Sequence, residues 1–218
     1  MTRKRPDDLP GLVLDADEVR DRPERWQVTE SHSSFESGRV ISVRTDQVAP
    51  AEGDSFTRDV VEHPGAVGII ALDHDHRLLL VSQYRHPVGH RLLEPPAGLL
   101  DVDGEDPATA AARELAEEGH VRAVEWRLLV DAFTSPGMTD ETIRIYLARE
   151  LQPIAEDDWF VGVHEEADMP LFWAPLRDVV EAVLTGVVHN PILVMGALSC
   201  WSTLHGPGFD ALRVVQPE

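Results

Sequence analysis

The sequence predicts an α/β protein in which a small antiparallel β region precedes a mixed α/β body. Three observations carry this prediction. Segments 26–30, 36–44 and 55–62 are rich in Val, Ile, Phe and Arg with partial alternation, the pattern of half-buried strands. Two apolar runs, AVGIIAL and RLLLVSQY, flank the polar turn Asp73-His74-Asp75-His76 and read as a hairpin. After them an amphipathic helix, further strand-like segments and two more helices intermix along the chain.

The elements follow in order. Residues 1–24 are polar and proline-containing and read as a loose arm, and 25–62 as an N-terminal β-domain. Residues 63–205 form the main domain, and 206–218 a tail. After Leu92, EPPAGLL is a rigid turn. A helix then opens with Asp106 as N-cap and Pro107 at its first position. Ala108, Ala111, Ala112, Leu115 and Ala116 give it an apolar face, and Gly119 marks its stop. Strand-like segments are expected at 126–133, 142–149 and near 170–174. Helices are expected at 176–185 and, after Asn190-Pro191, at 191–203, where Leu193, Met195 and Leu198 read as core.

Composition narrows the partners. The 218 residues carry a formal net charge of −20, which repels nucleic-acid phosphates and anionic lipid. An anionic small substrate therefore needs arginines or bound cations at its site. Cys200 is the one cysteine, so no internal disulfide forms, and its apolar setting reads as a small buried hydrophobe. No apolar run reaches the ~18 residues of a membrane span. The start MTRKRPDDLPG is basic without an apolar core, and a cytoplasmic location is expected.

The stretch RELAEE, Arg113–Glu118, raises a sharper question. Glu114 and Glu118 stand four apart and so share a helix face, where like charges repel by a few tenths of a kcal/mol. Glu117 flanks that face, and Arg113 pairs with it at i, i+4. An isolated acidic run is usually a solvated face. Here, however, Gly98 precedes it in a proline-stiffened turn, and Glu105 stands eight residues before Arg113. Hard divalent cations such as Mg²⁺ take oxygen ligands, and carboxylates beside a tight turn supply them. Glu105 can accept from Arg113 and hold the loop against the helix.

GLLDVDGEDPATAAARELAEEGHV resembles the Nudix box, G-x5-E-x7-R-E-U-x-E-E-x-G-U with U aliphatic. Gly98, Glu105, Arg113, Glu114, Leu115, Glu117, Glu118 and Val121 carry the likeness. Two departures are visible. Six residues separate Gly98 from Glu105, a one-residue loop insertion. Gly119 comes one place early, followed by His120, so His120 is expected to take positive φ at some cost. QYRHPVGHRLLEPPAGLLD before the box, SPGMTDE after it and HEEADM further on are similar to bacterial ADP-ribose pyrophosphatases. The resemblance implies an α/β/α Nudix sandwich with a mixed sheet. It also implies a homodimer across which the N-terminal β-domain packs, with an active site built from both subunits.

It further implies roles. Glu114, Glu118 and the carbonyl of Ala97 would hold Mg²⁺, or Mn²⁺ in its place, with Glu117 an auxiliary ligand or a catalytic residue that holds the water. Glu105 and Arg113 would support them. Arg85 and Arg58 would hold phosphates. Leu99, Ser135, Gly137 and Glu141 would contact substrate, the last three on the adenosine or ribose side. Glu166 or its neighbour Glu165 would be the catalytic base. Glu94 orients the turn or binds metal. Trp26 or Phe35 would stack on adenine. His63 and His86 fall near the site without a derivable role, and His74 and His76 read as exposed. The implied reaction is hydrolysis of a nucleotide sugar, ADP-ribose to AMP and ribose 5-phosphate. A GDP-sugar, NADH or a dinucleoside polyphosphate is the alternative substrate, and a non-cleaving nucleotide sensor the alternative class.

Overall fold

The computed structural model describes residues 3–4, 12–36, 40–159 and 169–218. The chain divides into two compact units, residues 1–32 with 45–59, and residues 33–44 with 60–218.

Strands β1 (Arg3–Lys4) and β2 (Leu12–Val13) pair antiparallel. Strands β3 (Gln27–Glu36), β4 (Ser42–Ala49) and β5 (Phe56–Glu62) form a three-stranded sheet in that order. In the first unit, polar side chains tie neighbouring strands. Ser31 Oγ donates to Asp46 Oδ1 at 2.6 Å and Thr45 Oγ1 to Asp59 Oδ1 at 2.7 Å. Trp26 meets Phe56 edge-on, with ring centroids 6.1 Å apart.

The second unit is built on two sheets. Strands β6 (Ala66–Ala71), β9 (Ala97–Leu99), β10 (Val121–Phe133), β11 (Thr142–Pro153) and β13 (Arg213–Val214) form a mixed sheet in the order β13-β10-β11-β6-β9. Only β6 and β11 run parallel. Strands β7 (Arg77–Arg85), β8 (His90–Glu94) and β12 (Leu171–Pro175) form an antiparallel sheet in the order β12-β7-β8.

The period-2 alternation of a strand sends successive side chains to opposite faces. Val67, Ile69 and Ala71 of β6 join Leu79 in one buried cluster with Ala108, Ala110, Ala111 and Leu115 of helix α1 (Pro107–Gly119). Ile70 and Leu72 join Leu78 and Leu80 in a second cluster. That one is closed by Leu176, Val179 and Val180 of α2 (Leu176–Leu184) and by Ile192, Leu193, Ala197 and Cys200 of α3 (Pro191–Leu204). Sheet between helices is the α/β/α sandwich that the resemblance implies. Inside α3, burial pushes the Cys200 thiol up to about 12.

Two expectations change. The strand expected at 36–44 is not one element, since β3 ends at Glu36 and β4 begins at Ser42. The runs either side of Asp73–His76 do not form a hairpin ladder: they share one bridge, Leu72 to Leu78, and then part into different sheets. Both edges of β6 are already taken, by β11 and β9, so β7 turns away to β8 and β12. The turn itself is locked. Asp73 Oδ1 accepts the N–H groups of Asp75 and Arg77, and Oδ2 accepts Arg77 Nε at 2.7 Å. His74 and His76 are exposed there, as expected, although His74 Nε2 lies 3.5 Å from Asp75 Oδ2.

Helix bounds follow local chemistry. Asp106 accepts from Ala108 N at 2.8 Å and Pro107 opens α1. Asn190 does the same for α3 by accepting from Leu193 N at 2.9 Å. At the other end of α1, Gly119 is buried, and a Cβ there would lie 2.8 Å from Leu79 Cδ2 and 3.1 Å from Leu115 Cδ1. Room is what position 119 requires, so the left-handed turn falls to His120, at φ 54°. The His120 ring stacks on Trp159 with centroids 4.2 Å apart. The extra loop residue ahead of α1 bulges outward. Residues 101–104 are exposed, Glu105 N donates to Val102 O at 3.2 Å, and Gly104 turns at φ 78° with open space around it.

Candidate active site

Arg113 answers the question of the crowded carboxylates. Its Nε and Nη2 each donate to Glu105 at 3.1 Å. Its Nη1 donates to Glu114 Oε1 at 2.7 Å and Glu117 Oε2 at 3.3 Å. The bonds to Glu105, with the charge of Glu114, hold the guanidinium above its ordinary value, so it stays charged at any working pH. One cation thus spans three carboxylates, and the loop is pinned to the helix as the sequence anticipates.

Glu114 and Glu118 face the backbone of β9. Ala97 N–H donates to Glu118 Oε2 at 2.9 Å. Gly98 lies directly against the Glu114 carboxyl, and a Cβ at position 98 would overlap it. A side chain at position 98 would therefore displace that carboxyl. Two carboxylates meeting at one backbone turn, with Glu117 flanking, present hard oxygen donors of the kind that Mg²⁺ and Mn²⁺ prefer. The residues present fit such an ion.

Ala97, Gly98 and Leu99 also line a cleft of about 800 Å³. Arg85, Glu94, Ser135 and Glu141 line it too, together with His63, left without a role by sequence reasoning, Phe133, Thr134, Ile143 and Ile192, which it did not single out, Asn190, read only as the start of the last helix, and Met195, read as core. His63, the Phe133–Thr134 end of β10, Ile143 of β11 and the Asn190–Met195 start of α3 come from different parts of the chain, and nothing local in the sequence marks these segments as neighbours. Gly137 sits in the exposed turn of 135–139, where Met138 N and Thr139 N donate to Ser135 O. Glu141 is held by the Thr134 hydroxyl. His63 Nδ1 lies 3.7 Å from Glu141 Oε1 but accepts Gly65 N–H at 3.0 Å.

Arg85 turns its Nε and Nη2 toward Glu94, at 2.9 and 2.7 Å. Arg58 lies in the first unit with its guanidinium 5.0 Å over the Phe56 ring. Trp26 and Phe35 are both exposed. Glu165 and Glu166 lie outside the described residues.

A mixed sheet thus lies between helices, and two carboxylates of α1 reach the β9 backbone beside a cleft. Residues 62–192 match the family model described as the NUDIX domain, and the chain belongs to that family as a Nudix pyrophosphohydrolase. It is 43% identical over 178 residues to an ADP-ribose pyrophosphatase of Mycobacterium tuberculosis, covering 82% of this chain and 84% of that one. It is 37% identical over 134 residues to an ADP-ribose pyrophosphatase of Bacillus subtilis, 59% of this chain and 72% of that one. A crystal structure described as an ADP compounds hydrolase shares the fold, with a TM-score of 0.65 at 20% identity, covering 86% of this chain and 99% of the other.

Proposed function

We propose that the protein hydrolyses the pyrophosphate of a nucleoside diphosphate sugar, with ADP-ribose the lead substrate and AMP and ribose 5-phosphate the products. The observation that carries this reading is the meeting of Glu114 and Glu118 at Ala97–Gly98, on the wall of a cleft that Arg85 also lines. The names of the Mycobacterium tuberculosis and Bacillus subtilis relatives support the choice of ADP-ribose.

Glu114 and Glu118, with the Ala97 carbonyl, would hold Mg²⁺ or Mn²⁺. Such an ion supplies neutralisation of pyrophosphate charge and a lowered pKa for the attacking water. Glu117 supports that set, and Arg113 and Glu105 keep the helix and its loop in place. Arg85 would grip phosphate oxygens, which a planar guanidinium meets two at a time. Leu99, Ser135, Gly137 and Glu141 would border the nucleoside. Water adds at phosphorus, the bridging P–O bond breaks, and Glu166 or Glu165 takes the proton of the water. The active protein would be a homodimer, readable by light scattering.

Glu118→Gln tests the assignment. With Mg²⁺ saturating, turnover of ADP-ribose should fall by about 10³-fold or more while the fold stays intact, since the change removes charge at a transition-state position. An unchanged rate would falsify the role of Glu118. A parallel panel of ADP-ribose, GDP-mannose, NADH and a dinucleoside polyphosphate, with products read by mass, ranks the substrates.

A further inference from the structure

Resting on the reading that a pyrophosphate occupies the cleft, we propose that Glu94 is a positioning residue for Arg85 and thereby sets the grip on the phosphates. Glu94 is 1% exposed, the most deeply buried acidic side chain among the described residues. A carboxylate taken from water needs a hydrogen-bonded cation beside it. Arg85 fills that need with two roughly parallel bonds, Nε to Oε1 at 2.9 Å and Nη2 to Oε2 at 2.7 Å. Five N–H groups of a guanidinium lie in one rigid plane, so fixing the Nε edge fixes the direction of every other donor.

The clamp runs lengthwise along one face of the β7–β8 ladder, four positions apart, and is closed by the two side chains. Glu94 ends β8 opposite Val81, while Arg85 ends β7 opposite His90. Immediately after Glu94, Pro95 and Pro96 stiffen the chain into Ala97 and Gly98, where the Glu118 and Glu114 carboxyls arrive. A single buried carboxylate thus sets the bearing of a cleft arginine and stands three residues from the turn that receives the helix glutamates. Both Arg85 and Glu94 line the cleft, and Arg85 is partly exposed to it.

The test uses the full-length protein and Glu94→Gln, which keeps the shape and removes the charge. Inorganic pyrophosphate binding is measured by calorimetry in EDTA, and KM, kcat and the Mg²⁺ activation curve with ADP-ribose. Loss of one charge-assisted bond and of the fixed orientation should weaken pyrophosphate binding and raise KM by about tenfold, with kcat and the Mg²⁺ midpoint nearly unchanged. In an Arg85→Ala background the same substitution should add less than about twofold, because it acts through Arg85. Independent effects of the two substitutions, a shifted Mg²⁺ midpoint with unchanged pyrophosphate affinity, or a lowered Tm alone would each overturn the assignment. A wild-type protein that does not bind pyrophosphate would do so as well. Should Glu94→Gln not fold, Arg85→Lys keeps the charge and loses the planar clamp. It should show the same loss of pyrophosphate affinity, and an unchanged affinity overturns the proposal. Pyrophosphate carries no nucleoside, so wild-type binding without cleavage of ADP-ribose would sink the substrate reading and leave the role of Glu94 standing.

Discussion

At position 98 the proposed chemistry depends on a missing atom. Any Cβ there would overlap the Glu114 carboxyl, so Gly98→Ala must push that side chain off its place at the turn. A displacement on the order of 1 Å in a catalytic group can cost about 10²-fold, and kcat should fall by that order, with little change in Tm. Paired rate and melting measurements check this, and equal losses in both would show that Gly98 matters for folding instead. Cys200 makes a different prediction. Burial raises its pKa from 9.0 to about 12, so the folded thiol keeps its proton where the unfolded one gives it up. The contribution is fully present below the unfolded value and is lost as pH rises from about 9 toward 12. Alkaline denaturation should therefore be milder in Cys200→Ala, compared by denaturant titrations across that window.

Among the elements, α1 was the most legible. Its cap, its proline start, its alanine face and the register of its carboxylates are all local features, and the structure reproduces them. Even the strained backbone at His120 could be anticipated from the shifted glycine. What stayed hidden was non-local. The parting of β6 and β7 depends on which strands occupy the β6 edges, and the union of His63, Thr134 and Asn190 on one cleft depends on tertiary folding. The clamp of Arg85 on Glu94 was hidden for the same reason, since their nine-residue separation has meaning only across two paired strands. The end of α1 yields a test of why glycine sits early. Gly119→Ala should destabilise by about 1–3 kcal/mol, because Leu79 and Leu115 leave no room. His120→Gly should stay within about 1 kcal/mol of wild type, since relief of the left-handed backbone offsets loss of the Trp159 stack. Thermal melts of the two variants distinguish space from backbone conformation as the constraint.

For the molecule as a whole, charge opposes the proposed substrate. A chain at −20 repels a dianion over distances set by the Debye length, about 10 Å at 0.1 M salt. Salt weakens that repulsion, so kcat/KM for ADP-ribose should rise by about two- to fivefold as ionic strength increases toward that level with metal saturating. A fall instead would mean that the arginines steer the approach and outweigh the net field. The outward bulge at 101–104 has a practical consequence at this scale. Its chain turns in open space ahead of the Asp106 cap, while Glu105 and Arg113 fasten its far end. Lengthening a solvated connection costs only about 0.6 kcal/mol per doubling. A peptide tag or fluorescent reporter spliced there would travel on the outside of the enzyme, leaving α1 undisturbed.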